Sequence, residues 1–320
     1  MKILVTGGSG FIGTRLVGEL LEAGHQVAIF DIAASATYPS LCLRGDVRDA
    51  RALTAAAAGC DAIIHLAAEH RDDALSTALC EKVNVGGAAN VAAAAQAVGC
   101  RRVVFTSSVA VYPLNTPSST EEDPPRPCNR YGESKLAAEQ VFLGWARNTP
   151  GATLVTVRAC VVFGEGNRGN VYNLLRLVHR RRFVMVGRGE NRKSMAYGGN
   201  VSRFLAASLA FPAGIHLYNY ADKPDLSVAE LVALAQRALP EGGSAGFMRV
   251  PYWAGVVAGS ACDALAALAG RQFPISANRI RKFCAETTVS TRRLDQTGFV
   301  RPFALEEALV KTIHFEFGKH

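Results

Sequence analysis

The stretch Lys2-Ile3-Leu4-Val5-Thr6-Gly7-Gly8-Ser9-Gly10-Phe11-Ile12-Gly13 carries a β-branched apolar run into a cluster of glycines and then into a helical pattern, Phe11–Ala23. Glycines in a strand-to-helix turn permit positive φ and let the backbone come close to a pyrophosphate, and the last of them lets the helix pack tightly on the strand. The helix N-terminus adds amide donors and partial positive charge for phosphates. A strand before and a helix after are what separate a dinucleotide fingerprint from a merely flexible turn. Gly7, Gly10, Phe11, Ile12 and Gly13 are therefore expected to line a dinucleotide.

A second feature sits at the matching distance. Asp31 ends the next apolar run, Gln26–Asp31, near the ~20-residue spacing at which a carboxylate accepts ribose hydroxyls. A carboxylate repels a 2′-phosphate, and no Arg or Lys lies between Asp31 and Arg44, so NAD is the expected cofactor in preference to NADP. Asp46 and Val47, after the third strand-like run, either reach the adenine or serve the chain locally, Asp46 as a helix cap.

Outward from this motif, β-branched runs (Leu41–Gly45, Ala62–Ala67, Arg102–Ser107, Leu154–Val161) alternate with helical segments (Ala50–Ala57, Val83–Val98, Tyr131–Thr149). Such alternation predicts right-handed crossovers and an α/β fold, a Rossmann-type doubly wound parallel sheet covered on both faces. After Val161 the pattern loosens into a basic helix (Val171–Arg182), a strand that could return to the sheet (Ile215–Tyr220) and a glycine-rich loop at Glu241–Gly246. The expected division is a dinucleotide-binding domain over 1–165 with a returning segment at about 198–222. A smaller α+β substrate lobe takes 166–197 and 223–320.

The 320 residues are 49% hydrophobic and 19% charged, a globular composition. Met1 leads almost at once into the first strand, so no secretory signal is expected. The apolar stretch Trp253–Ala269 is interrupted by Ser260 and Asp263 and falls short of the ~20 residues of a membrane span, so it reads as a buried helix. Cys42, Cys60, Cys80, Cys100, Cys128, Cys160, Cys262 and Cys284 are scattered without paired or metal-ligand spacing. They fit reduced thiols in the cytoplasm, with no metal site. The net charge of +8 is concentrated at His179-Arg180-Arg181-Arg182 and at Arg188, Arg192 and Lys193. These residues read as solvated faces or as an attractor of a polyanionic small molecule. Without interleaved aromatics, nucleic acid is not expected as a partner.

Tyr131 and Lys135 stand four apart on one helix face. A phenol titrates near pH 10 and is a poor base at neutrality. A nearby ammonium and the positive nicotinamide of NAD⁺ would favour the phenolate, which could then take a proton from a sugar hydroxyl as hydride leaves the same carbon. Phe105-Thr106-Ser107-Ser108-Val109-Ala110-Val111-Tyr112 closes the preceding strand at the sheet's carboxyl edge, where open α/β sheets bind ligands, and a serine there can bond the reacting oxygen.

Gly7–Gly13, His65-Leu66-Ala67-Ala68, Asn84 within Val83-Asn84-Val85, Thr106–Tyr112 and Tyr131-Gly132-Glu133-Ser134-Lys135 together resemble the extended short-chain dehydrogenase/reductase family, and within it the NAD-dependent nucleotide-sugar epimerase/dehydratase group. The resemblance implies Ser108, Tyr131 and Lys135 as catalytic residues, with Tyr131 the acid/base. It implies Leu66, Ala67, Ala68, Asn84 and Thr106 as neighbours of the cofactor, and a usual dimer. It places a nucleoside diphosphate in the second lobe, with Asn170, Val171, Lys193 and Arg279 as candidate contacts and a surface role for Arg279 equally open. Val109-Ala110 stand where dehydratases carry Asp-Glu, and neither can move a proton, so dehydration is disfavoured. What remains is chemistry at one sugar carbon: a nucleotide-sugar 4-epimerase, with a UDP-sugar in first place. A 4-ketoreductase, a hydroxysteroid-dehydrogenase-like oxidoreductase and a non-catalytic dinucleotide sensor are the alternatives.

Overall fold

The computed structural model describes residues 1–70, 77–239, 247–269 and 276–318. The glycine-rich stretch 241–246 lies outside them. Along the first half run β1 (Lys2–Thr6), α1 (Phe11–Glu22), β2 (Gln26–Asp31), β3 (Cys42–Arg44), α2 (Ala50–Ala56), β4 (Ala62–His65), α3 (Thr77–Cys80), α4 (Gly87–Ala97), β5 (Arg102–Ser108), α5 (Arg130–Arg147) and β6 (Thr153–Ala159). Then follow β7 (Val161–Phe163), α6 (Asn170–His179), β8 (Val184–Val186), β9 (Arg192–Tyr197), α7 (Gly198–Ala207), β10 (Gly214–Tyr220) and β11 (Asp222–Ser227). The chain continues through α8 (Val228–Ala238), β12 (Met248–Val250), α9 (Tyr252–Ala269), α10 (Ala277–Cys284), α11 (Arg292–Asp295) and α12 (Leu305–Phe317).

Seven parallel strands form the main sheet in the order β10-β6-β5-β4-β1-β2-β3. The central strands β1, β4, β5 and β6 are short β-branched runs buried on both faces, as in parallel sheets, while the edge strands β3 and β10 are partly exposed. On one face Leu4, Ile63, Val103 and Phe105 pack with Val91, Ala94, Ala95 and Phe142 from α4 and α5. On the other, Ile3, Val5, Ile64 and Val104 meet Leu16, Val17 and Leu20 of α1 and Phe204 and Leu205 of α7. Each such fully buried side chain contributes about 1.5–3 kcal/mol. A third cluster, including Val171, Leu175, Met185, Leu231 and Leu309, knits α6, α8 and α12 around a three-stranded sheet, β11-β9-β7. β12 pairs with β8 alone.

Three elements differ from the sequence expectation. The helix expected from Val83 begins as a π-helical turn, Glu81–Gly86, before α4. The extra residue of that turn carries Asn84, whose inward amide is bonded on three sides; π-turns tend to mark such places. The strand expected over Leu154–Val161 ends at Ala159, because Cys160 N turns to Tyr220 O (3.0 Å) and Val161 begins the second sheet. Helix α9, expected to be buried, is bare along one side, with Trp253, Val257 and Leu265 exposed. Apolar composition all round hides which side is covered, since no polar stripe marks the outside. No helix among the described residues is long and apolar enough to cross a membrane.

One buried ion pair ties α5 to the sheet. Arg158 on β6 grips Glu139 on α5 in a two-point contact (Nε–Oε1 3.0 Å, Nη2–Oε2 2.7 Å), and Ser107 Oγ donates to the same carboxylate at 2.5 Å. Arg158 Nη1 also donates to the Tyr112 hydroxyl (2.7 Å), which donates to Asn219 on β10 (2.9 Å). Removing one partner of such a pair strands a buried charge. Glu139→Ala should lower unfolding free energy by about 3–5 kcal/mol in denaturant titration, and a loss near zero would mean that the pair does not anchor α5.

Candidate active site

Strand order reverses at β1, which lies between β4 and β2, and the crevice beyond their carboxyl ends is where open α/β sheets take ligands. The glycine turn fills its floor. Gly7 adopts φ +72°, and a Cβ there would lie 2.6 Å from Ala67 N, so the turn rests directly on the exit of β4. A Cβ on Gly13 would lie 2.4 Å from Gly7 O, which is why α1 can start so close beneath the turn. A Cβ on Gly10 would meet nothing but Gly7 O within 4 Å. Gly10 is also the N-cap of α1 and provides no side-chain cap, so the first-turn amides are left to a ligand. Phe11 and Ile12 follow, half-buried, with Arg15 stacked on the Phe11 ring at 4.3 Å.

Asp31 closes β2 beside this turn. Its carboxylate accepts Ser9 N (3.0 Å) and Ala33 N (2.9 Å) and stays partly open to solvent. Behind the turn, Thr6 Oγ1 and His65 Nδ1 are 2.6 Å apart, joining β1 to β4. Burial, with the Lys135 ammonium adding to it, holds the His65 imidazole down to about 3, so the ring stays neutral. His65 Nε2 and Thr106 Oγ1 are buried without a partner. These orphaned groups, the bare amides, the cradle that a Cβ would fill and the Asp31 carboxylate fit a dinucleotide.

The residues expected to react lie on β5 and α5. Asn129 caps α5 by accepting Gly132 N at 2.8 Å, and a Cβ on Gly132 would lie 2.2 Å from Ala110 O. The first turn of α5 therefore lies against the short helical turn Val109–Val111 that follows β5. That contact brings the Tyr131 hydroxyl near Ser108, whose side chain opposes the rise of the phenol's pKa and whose Oγ accepts Ala110 N (3.1 Å). One turn on, Lys135 Nζ donates to Thr106 O (2.7 Å) over the Phe105 ring. Ser108, Tyr131 and the Lys135–Thr106 contact thus lie along the end of β5 and the first turns of α5.

Their electrostatics differ from the sequence expectation in one respect. Burial pushes the Tyr131 phenol up to about 12, with the Ser108 side chain opposing, and Lys135 is not among the groups that draw it down. The lysine is itself depressed to about 8 by burial, against the pull of Glu139. The protein matrix alone keeps the phenol neutral, and a cationic ring beside it is the remaining charge that could favour phenolate.

Other expected residues fall in varied places. Leu66 N is bonded to Thr6 O (3.0 Å), and Leu66, Ala67 and Ala68 line the half-buried exit of β4. Asn84 is buried, accepting Glu69 N (2.8 Å) and donating to Glu69 O and Ser134 Oγ (both 2.9 Å); its amide braces the β4 exit against α5. Asp46 is held by Arg48, whose hydrogen bonds lower the carboxyl's pKa, and Asp49, not Asp46, caps α2. Val47 is buried against Gly87 of α4. In the lobe, Asn170 is exposed at the start of α6 and Val171 sits in the core below it. The Lys193 ammonium, expected near a diphosphate, donates to Lys282 O (3.0 Å) and Ala285 O (2.5 Å) and ties β9 to α10. Arg279 lies exposed on α10. The contact of His65 with Thr6 is not legible in the sequence, because a histidine ending an apolar strand gives no sign of which neighbour it meets.

Residues 3–220 match the model of the NAD dependent epimerase/dehydratase family. The chain belongs to that family. It is 43% identical over 318 residues, 99% of its length and 95% of the relative's, to an N-acetyl-alpha-D-glucosaminyl-diphospho-ditrans,octacis-undecaprenol 4-epimerase of Escherichia coli O157:H7. A 3 beta-hydroxysteroid dehydrogenase/Delta 5-->4-isomerase of Mycobacterium tuberculosis is 34% identical over 67% of this chain and 62% of its own. Among solved structures, MoeE5 in complex with UDP-glucuronic acid and NAD superposes with a TM-score of 0.78 at 25% identity, covering 99% of both chains. The UDP-glucose 4-epimerase of Thermotoga maritima, at 20% identity, shares the fold with a TM-score of 0.79 over 99% of this chain and 98% of that one.

The placement of Asp31 yields a test. Asp31→Ala should weaken NAD binding about tenfold or more in calorimetric titration, as loss of charge-assisted hydrogen bonds to ribose requires. Wild-type affinity for NADP equal to that for NAD would contradict the role given to this carboxylate.

Proposed function

We propose that this protein is an NAD-dependent 4-epimerase of a diphosphate-linked N-acetylhexosamine. The carrying observation is the placement of Ser108, Tyr131 and Lys135 along the end of β5 and the first turns of α5 in a chain that is 43% identical, almost end to end, to an epimerase of that kind. The sheet with residues 1–165 and 198–222 holds NAD, and 166–197 with 223–320 holds the diphosphate sugar. The sugar's carrier is a polyprenol, by the closeness of that relative. A nucleoside carrier, the UDP-sugar of the sequence reading, is the second reading, favoured by MoeE5 at lower identity.

NAD, held by the glycine turn and Asp31, would supply the hydride acceptor and a positive charge. Ser108, near the Tyr131 hydroxyl, offers a second hydroxyl to the reacting oxygen and favours the phenolate. Tyr131, as phenolate, takes the proton of the sugar 4-hydroxyl while hydride leaves the same carbon, and a 4-keto sugar results. On return of the hydride to the other face of the ketone, Tyr131 would give the proton back to the oxygen at carbon 4. Lys135 keeps its ammonium close to the reacting edge through Thr106 O. Val109-Ala110 offer no group to drive loss of water, which keeps the chemistry at one carbon.

Incubation with N-acetylglucosaminyl-diphospho-polyprenol and with UDP-, dTDP- and GDP-sugars should give the 4-epimer without net consumption of cofactor. Stoichiometric loss of NADH on a keto sugar would mean a reductase, and no turnover of any of these would overturn the reading. Tyr131→Phe should cut turnover by about 10²–10⁴-fold while NAD binding stays within a few-fold of wild type.

A further inference from the structure

Helix α9 is apolar apart from Ser260 and Asp263, and among the described residues it is covered along one side. Its covered side is formed by glycines: a Cβ on Gly255 would lie 2.7 Å from Val186 Cγ1, and one on Gly259 would lie 2.7 Å from Ala277 N. The helix therefore lies flat on β8 and α10. On the opposite side Trp253, Val257 and Leu265 are 70%, 62% and 57% exposed. With exposed Ala261 between them they recur every four residues, so they make one stripe along the helix. Tyr252 and Met248, both exposed, extend it at one end. Single exposed apolar side chains need no explanation, but a continuous stripe with tryptophan at its head marks a surface made for contact.

The chain around the stripe is basic. Arg249 is exposed three residues before the helix, exposed Arg279 and Arg281 stand on α10, and exposed Arg180, Arg181 and Arg182 lead toward β8. Among the described residues of 247–284 the acids are reduced to Asp263, whose carboxylate accepts Ala277 N at 3.0 Å. A helix with tryptophan and aliphatics on its outer face and arginines about it has the composition of one that lies in the plane of a bilayer interface. Arginines at that level are drawn to anionic headgroups. A second copy of the chain would set the same basic rim against itself, which like charges oppose.

We infer that the α9 stripe and its basic rim seat this protein on an anionic lipid surface, the helix lying in the interface without crossing it. This use of the surface rests on the polyprenol reading above. A sugar diphosphate on a polyprenol stands at the headgroup level, and seating the lobe there presents the site to a substrate that does not leave the membrane. The sequence reading expects no membrane partner; the exposed side of α9 points instead to an interfacial contact.

The chain has two tryptophans, and Trp145 is 6% exposed, so Trp253 can report the contact by its emission. Full-length protein mixed with phosphatidylglycerol vesicles should sediment with them and show a blue shift that Trp253→Phe abolishes. Binding to phosphatidylcholine vesicles should be about tenfold weaker or less detectable still. Trp253→Ser/Val257→Ser/Leu265→Ser should lose about tenfold or more in vesicle binding while keeping its melting temperature and its affinity for NAD. No sedimentation with anionic vesicles, unchanged emission on binding, equal binding by the triple variant, or self-association through the stripe that vesicles do not reverse would each overturn the inference. Vesicle binding with no turnover of the polyprenol-linked sugar would sink the substrate reading and leave the docking surface standing.

Discussion

The close approach of two backbones governs this protein. The turn after β1 rests on the exit of β4 with so little space that a methyl on Gly7 would touch the Ala67 amide. That contact can occur only where neighbouring parallel strands send their chains to opposite sides, at the reversal of strand order. Everything the site requires follows from it. The amides of α1 point into the crevice, Asp31 lies beside them, and the reacting edge of β5 stands one strand beyond β4. A side chain at Gly7 or Gly13 would push the floor upward into the space that a pyrophosphate needs.

A second close approach, Gly132 against Ala110 O, does for chemistry what the first does for binding. It lowers the start of α5 onto the end of β5, so that Tyr131 meets Ser108 and Lys135 meets Thr106. The Arg158–Glu139 pair holds the rest of α5 against the sheet from below. The cost of this packing is electrostatic. A phenol and an ammonium in so dry a place both favour their neutral forms, the phenol pushed up to about 12 and the lysine down to about 8. The site is poised for a base that exists only in company: the phenolate becomes accessible when a positive charge enters beside it.

The glycine turn, the strand and helix alternation, Asp31 and the Tyr131–Lys135 pair were legible because each is local, a matter of spacing along one or two elements. The geometry added what is non-local. Whether Lys193 faces a diphosphate or closes onto the carbonyls of Lys282 and Ala285 depends on α10, far along the chain. The place of Asn84 beside α5 comes from a π-turn that no periodicity marks. Mutual effects on titration were misread for the same reason: four residues apart on a helix is near in space, yet desolvation outweighs that nearness. The outer side of α9 was illegible because an evenly apolar helix does not tell which side has neighbours.

The central claim is that Tyr131 is the base and that the cofactor makes it one. The direct test is the ionisation of that phenol, followed by ultraviolet difference titration of the wild type against Tyr131→Phe, with and without saturating NAD. Without NAD the tyrosine should titrate at about 12, and with NAD⁺ its ionisation should move down toward neutrality. A titration unmoved by NAD⁺ would contradict the account, because the phenol would then have no way to accept a proton at the pH where the enzyme works.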